Sequence, residues 1–207
     1  MSDQELQNER YSEEDAAPAR KRPRPGERRL QILQTLAAML EQPGAERVTT
    51  ASLAAKIGVS EAALYRHFAS KAQMFEGLID FVDQSVIGLI RQVTDREPPG
   101  SQQAGRIVAL LLQFAEKNPG MSRVMIGDAL VLEHERLQER INLLFDKIEA
   151  QLRQSLKATE SATPTVDAQV AASLLVAFMQ GRLQRFARSG FKRLPSEHLQ
   201  AALGRML

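Results

Sequence analysis

The side chains best able to do chemistry lie together in one stretch, TTASLAAKIGVSEAALYRHFASK, from Thr49 to Lys71. Hydroxyls (Thr49, Thr50, Ser60), a phenol (Tyr65), an imidazole (His67) and cations (Arg66, Lys71) alternate there with Glu61 and the small residues Ala62 and Ala63. Hydroxyls and cations donate to phosphate oxygens, and small side chains let a backbone come close to base edges. That chemistry recognises duplex DNA; it does not make or break bonds. Catalysis has little to work with elsewhere. The three histidines, His67, His134 and His198, are scattered, cysteine is absent, and no His/Asp/Glu spacing suits a metal. No Gly-rich phosphate loop follows a strand. No catalytic residue, metal or cofactor is therefore expected, and His134, between Glu133 and Glu135, reads as a solvated helix residue.

The elements that must hold the Thr49–Lys71 groups are helices. Leu30, Leu33, Leu36, Ala37 and Leu40 recur at helical spacing and predict a first helix over Glu27–Glu41, stopped by Pro43 and Gly44. Thr49 or Thr50 can cap a short second helix, Ala51–Ile57. Gly58 can take the left-handed backbone a sharp turn requires, and Ser60 can cap a third helix with Glu61 just inside it. Leu53, Ala54, Ile57, Val59, Leu64 and Phe68 are spaced to pack these helices together. The third helix then exposes Glu61, Ala62, Ala63, Arg66 and His67, with Tyr65 and His67 placed for phosphates. Lys71 opens a long fourth helix capped by Ser70 and running to about Asp95. A cation there opposes the helix dipole, a cost that a bound phosphate would offset.

Further along, the pattern predicts helices over Gln102–Lys117, Met121–His134, Glu135–Lys157, Thr163/Pro164–Arg188 and Ser196–Met206. No segment alternates with period two, so an all-α protein is expected. Its fourth helix carries an apolar stripe of Phe75, Leu78, Ile79, Val82, Val86, Leu89 and Val93, with Met74 and Phe81 to one side. Phe81 must meet another element or be exposed. On the fifth helix Leu110, Gln113 and Lys117 share one edge, which could receive a peptide with a hydrophobic anchor and an acidic group or simply pack against a neighbour. Val170, Leu174, Leu175, Phe178, Leu183 and Phe186 give the eighth helix more apolar surface than one buried side needs.

The charge distribution agrees with a nucleic-acid partner. The formal net charge is only +2. Yet residues 1–15 hold Asp3, Glu5, Glu9, Glu13, Glu14 and Asp15 against Arg10, whereas the Lys and Arg surplus is concentrated between Arg20 and Lys71. Residues 1–26, polar and ending in the Pro-rich RKRPRPG, are expected to be a disordered tail with a basic arm from Arg20 to Arg29 that adds DNA-backbone or minor-groove contacts. The longest nearly unbroken apolar run, Val170–Met179, interrupted by Ser173, is about half of the ~20 residues that span a bilayer. With no apolar signal core at the start, a soluble cytosolic protein with no membrane partner is expected.

Leu53-Ala54-x-x-x-Gly58-Val59-Ser60 followed by Leu64-Tyr65-Arg66-His67-Phe68-x-Ser70-Lys71 resembles the TetR family of DNA-binding regulators. The resemblance implies a three-helix helix-turn-helix domain (27–70) followed by a helical dimerisation and partner domain (71–207). It also implies that Thr49, Thr50, Tyr65, His67 and Lys71 anchor phosphates while the Glu61–His67 helix reads bases. A dimer would form on the helix Val166–Phe186 and its neighbour. The default function in such proteins is a ligand-released repressor. Ile107–Gly120, Leu137–Phe145 and Ile148–Gln154 are similar to a narrower group, the nucleoid occlusion factors. That likeness implies a homodimer on palindromic chromosomal sites that, while DNA-bound, antagonises assembly of the division GTPase FtsZ and blocks septation over the nucleoid. Phe81, Leu110, Lys117 and Asn118 match that group's partner surface, for the C-terminal tail of FtsZ, Lys117 as a basic replacement for arginine. Leu89 and Gln113 depart from it, where the group carries a basic residue and a glycine.

Overall fold

A computed structural model describes residues 26–42, 48–131, 133–157 and 164–207. Among these residues all regular structure is helical: α1 (Glu27–Leu40), α2 (Thr50–Ile57), α3 (Glu61–Tyr65), α4 (Lys71–Thr94), α5 (Ser101–Lys117), α6 (Pro119–Met125), a single 3-10 turn (Asp128–Leu130), α7 (Glu135–Leu156), α8 (Pro164–Arg188) and α9 (Leu199–Leu203). The acidic tail, residues 20–25 of the basic arm, the Pro43–Gly44 stop and Thr163 lie outside the described residues.

Small helices need their ends satisfied, and the caps expected from sequence are in place. The Thr49 side chain accepts from the Ser52 N–H while Ser52 returns a bond to the Thr49 backbone, so Thr49 is the cap and Thr50 already belongs to α2. Ser60 accepts from the Ala63 N–H at 3.3 Å and Ser70 from the Gln73 N–H at 3.2 Å. His134 is not a residue within α7: its Nδ1 accepts the Arg136 N–H and caps that helix.

α4 is the spine. Met74, Phe75, Leu78, Ile79, Val82, Val86, Ile90 and Val93 are buried along it. Met74 therefore belongs to the core, and Ile90 takes the buried position expected of Leu89, which is half-buried. α4 packs on α1 at one end and on α5, α6 and α7 along its length, and α7 packs on α8. Ser155 Oγ donates to Gln103 Oε1, and Gln103 Nε2 donates to the Glu97 carbonyl, which satisfies the buried polar pair between α5 and α7. No helix among the described residues is long and apolar enough to cross a membrane.

Two predicted helices are shorter than their periodicity suggests. The stretch expected as one helix, Met121–His134, splits at Gly127, whose φ of 78° ends α6. That helix starts earlier than expected, because Pro119 occupies its first turn, where a missing N–H costs nothing. The last helix spans only Leu199–Leu203, since His198 adopts φ 54° and breaks the run from Ser196. On α1, Ile32, Leu36 and Leu40 form the buried face; Leu30 is exposed and Leu33 and Ala37 are half-buried.

Gly120 sets how closely α6 approaches α1. A Cβ there would lie 2.2 Å from the Ala37 carbonyl oxygen, a backbone atom that cannot swing aside. Gly120→Ala should cost about 1–3 kcal/mol and lower Tm by about 2–4 °C per kcal/mol. Gly88 in α4 has open space around its missing Cβ. Gly88→Ala should instead stabilise by about 0.5–1 kcal/mol. Thermal unfolding of the two variants checks the opposite signs.

Candidate functional site

The α2–α3 unit is built from local chemistry. Gly58 turns the chain at φ 77°, ψ 43°, and its N–H closes α2 on the carbonyls of Ala54 and Ala55. Leu53, Ala54, Leu64 and Phe68 are buried beneath the turn. Across it, Thr50 Oγ1 donates to Glu61 Oε2 at 2.6 Å, tying the starts of the two helices together. This leaves Ser60, Glu61, Ala62, Tyr65, Arg66 and His67 exposed on one protruding surface, with Ala63 half-buried. Tyr65 is 45% exposed, unusual for an aromatic residue in so small a domain.

α1 braces this surface from behind. Arg29 donates to the His67 carbonyl at 2.8 Å, and its guanidinium lies 4.0 Å from the Phe68 ring centroid. Arg28 donates to Gln31 at 2.7 Å. The described end of the basic arm thus holds α1 and the end of α3 together. Lys71, on the first turn of α4, is also partnered: its Nζ pairs with the Glu133 carboxylate just before α7. Its side chain is 30% exposed and that of Glu133 is 12% exposed.

The second group of residues meets only in part. Phe81 is 50% exposed and also touches another element, its ring centroid 6.3 Å from that of Phe114. Phe81 and Asn118 border one apolar hollow of about 300 Å³, completed by Leu78, Met121 and the α1 residues Leu30, Leu33, Ala37 and Ala38. Asn118 Nδ2 donates to the Phe114 carbonyl at 2.7 Å. Leu110, half-buried, and Lys117, exposed, lie on α5 outside that hollow. Gln113 borders a different, polar hollow with Glu97, Arg106 and Gln200. The α1 wall is hidden from helical periodicity, which groups Leu30 with the buried stripe. Its place at the edge of that stripe was the available clue.

Residues 32–78 match the family described as "Bacterial regulatory proteins, tetR family", and residues 102–205 match the SlmA-like "Tetracyclin repressor-like, C-terminal domain". The nucleoid occlusion factor SlmA of Idiomarina loihiensis is 51% identical over 177 residues, 84% of this chain and 90% of that protein. The chain belongs to the SlmA family of nucleoid occlusion factors. SlmA of Vibrio vulnificus is 49% identical over 84% of this chain and 90% of its own length. Solved TetR-type regulators share the fold at low identity. A Rhodococcus transcriptional regulator superposes with a TM-score of 0.69 at 21% identity, covering 86% of this chain and 92% of its own. The fatty acid degradation regulator FadR of Bacillus halodurans superposes with a TM-score of 0.69 at 13% identity, covering 90% and 96%. The expected all-α, TetR-like architecture is therefore correct, and so is the narrower likeness to the nucleoid occlusion factors.

Gly58→Ala forces a side chain into left-handed backbone and should cost about 1–2 kcal/mol. Ser60→Ala removes a cap and should cost about 1 kcal/mol. Urea unfolding midpoints that stay at the wild-type value would contradict the role given to this turn.

Proposed function

We propose that this protein is a homodimer that sits on palindromic chromosomal sites in the nucleoid and, while bound, antagonises FtsZ assembly so that no septum forms over the chromosome. In this reading residues 27–70 are the DNA-binding unit and residues 71–207 the dimerisation and partner unit. One observation carries it. α4 begins at Lys71, beside the protruding α2–α3 surface, and carries the half-exposed Phe81 ten residues later on the same rigid helix. At ~1.5 Å per residue the two lie about 15 Å apart along the axis. A DNA contact and a protein contact therefore share one element.

At the DNA, Tyr65, His67, Thr49, Thr50 and Lys71 anchor phosphates. Ser60, Glu61, Ala62, Ala63 and Arg66 face the bases and groove walls, the small pair permitting close approach. Lys71 must exchange Glu133 for a phosphate, and Thr50 must exchange Glu61, so binding rearranges both contacts. The dimer forms on α8. Val166, Val170 and Leu174 point outward from a helix whose Leu175, Leu183 and Phe186 point inward, and no atom of the described residues fills the space where a Gly181 Cβ would be. Such an unpartnered apolar stripe suits an isologous interface. The partner is the C-terminal tail of FtsZ, an apolar residue of which packs on Phe81 and Leu110 while Lys117 and Asn118 supply polar contacts. With Leu89 in place of a cation, this contact is less electrostatic than in relatives that carry one there.

Sedimentation of FtsZ polymers with this protein and cognate duplex is the direct test. Polymer should be lost only when both are present, and polymers that persist at saturating protein and DNA overturn the reading. Phe81→Ala should weaken this effect while leaving DNA affinity unchanged; loss of both together would make Phe81 a folding residue.

Tyr65→Ala should weaken binding to all duplexes alike, as expected of a phosphate contact. An anisotropy titration showing selective loss at one base position would contradict that assignment.

A further inference from the structure

The far end of α8 carries charge that the proposed DNA and FtsZ contacts do not use. From Arg182 to Arg193 the sequence RLQRFARSGFKR contains Arg182, Arg185, Arg188, Lys192 and Arg193 and no acid. Arg182 is occupied: it donates to the Glu197 carbonyl at 2.9 Å and lies 4.9 Å from the Phe178 ring centroid. Arg185, Arg188, Lys192 and Arg193 are exposed, and no ion pair among the described residues includes them. Cations in a last helical turn are ordinary, since they complement the helix dipole. That accounts for Arg185 and Arg188. It does not account for Lys192 and Arg193, which lie beyond the helix.

The turn that presents Lys192 and Arg193 is unusually well built. The Phe191 N–H donates to the Phe186 carbonyl at 2.9 Å and the Gly190 N–H to that of Ala187 at 3.1 Å, which closes α8. Gly190 has φ 61°, and Phe191 has φ 64°, a conformation that residues with a Cβ rarely adopt. Phe191 is kept there by an edge-on contact with Phe186, centroids 5.1 Å apart, and by the Arg123 guanidinium from α6, 5.5 Å from its ring centroid. Ser189 Oγ then accepts both the Lys192 and the Arg193 N–H, at 3.1 and 2.9 Å. As a result Arg185, Lys192 and Arg193 line one open hollow of about 620 Å³, with Leu194, Ser196 and Glu197. Maintained backbone strain of this kind points to a use for the loop.

Its position indicates which polyanion it meets. α6, which covers Phe191, is the helix that packs on α1 through Gly120, so the cationic loop lies at the DNA-binding end of the helical body. The outward stripe of α8, Val166, Val170, Leu174 and Gly181, also continues at the helical angle of ~100° per residue into Arg188. In the α8 dimer proposed above, that stripe brings the Arg188 end of α8 from each copy toward the seam between them.

We propose that Arg185, Arg188, Lys192 and Arg193 form a second DNA contact, which grips backbone phosphates at the centre of the bound site irrespective of base sequence. The proposal rests on the reading of α2–α3 as the DNA-binding unit. The test compares the full-length protein with the triple variant Arg188→Ala/Lys192→Ala/Arg193→Ala on its cognate duplex and on a random duplex, between about 50 and 200 mM salt. The slope of log affinity against log salt should become shallower by about 2–5 per dimer, and affinity for the two duplexes should fall by a similar factor. Lys192→Glu with Arg193→Glu leaves α8 untouched and should weaken both duplexes about tenfold or more at the low-salt end. An unchanged slope in variants with wild-type thermal unfolding overturns the proposal, even if they lose affinity for an acidic peptide. If the unaltered protein binds no duplex, the reading of α2–α3 falls with it.

Discussion

α4 must satisfy two cores at once. Its first turns bury Met74, Phe75 and Leu78 at the junction with α1, and its later turns bury Val82, Val86, Ile90 and Val93 against the helical body. A fully buried apolar side chain contributes about 1.5–3 kcal/mol, so this continuous stripe is what fixes the α2–α3 unit relative to the rest. The seam between α4 and α7 also carries ion pairs, Glu76–Arg136 at 2.8 Å, Asp80–Arg140 at 2.5 Å and Asp83–Lys147 at 2.8 Å. They are solvent-accessible, and pairs of that kind are worth about 0–1 kcal/mol each. They select the register of α7 on α4; apolar burial holds the two together.

The Lys71–Glu133 pair heads the same seam and differs from the rest. It is the least exposed of these pairs on its acidic side, and it sits where a cation opposes the dipole of α4. Glu133 relieves that opposition in the structure as it stands, and a phosphate would relieve it in the same way. A DNA phosphate reaching Lys71 competes with a carboxylate that leads directly into α7. Any difference in DNA affinity between the paired and released states appears equally as a shift of those states on binding DNA. In the proposed reading, Lys71 is thus the point at which DNA would act on the seam between α4 and α7.

The local features of the helix-turn-helix were legible in the sequence. Thr49, Ser60 and Ser70 cap helices because a short hydroxyl side chain reaches an N–H two or three residues ahead, and Gly58 turns the chain because it lacks a Cβ. None of this depends on distant residues. Periodicity likewise exposed the α4 stripe and the excess apolar surface of α8. It misplaced Leu30 and Leu89, which keep the helical spacing of their stripes but stand at the edges, where the neighbouring helix decides burial. Gly127 and His198 broke predicted helices because each takes left-handed backbone, φ 78° and 54°, which apolar periodicity does not register.

The sequence by itself determined that this chain is helical, that residues 49–71 form a helix-turn-helix, and that it belongs with the SlmA-type proteins, because caps, turns and motifs are encoded within a few residues of one another. Only the tertiary structure decided how the proposed phosphate and partner residues are engaged. Lys71 meets a carboxylate 62 positions away, and Arg29 braces a carbonyl 38 positions away. Phe81 and Asn118 share a hollow whose other wall is α1, while Leu110 and Lys117 stand outside it. Those relations arise when helices distant in sequence bury common surface, and no local pattern specifies which side chains that burial brings together.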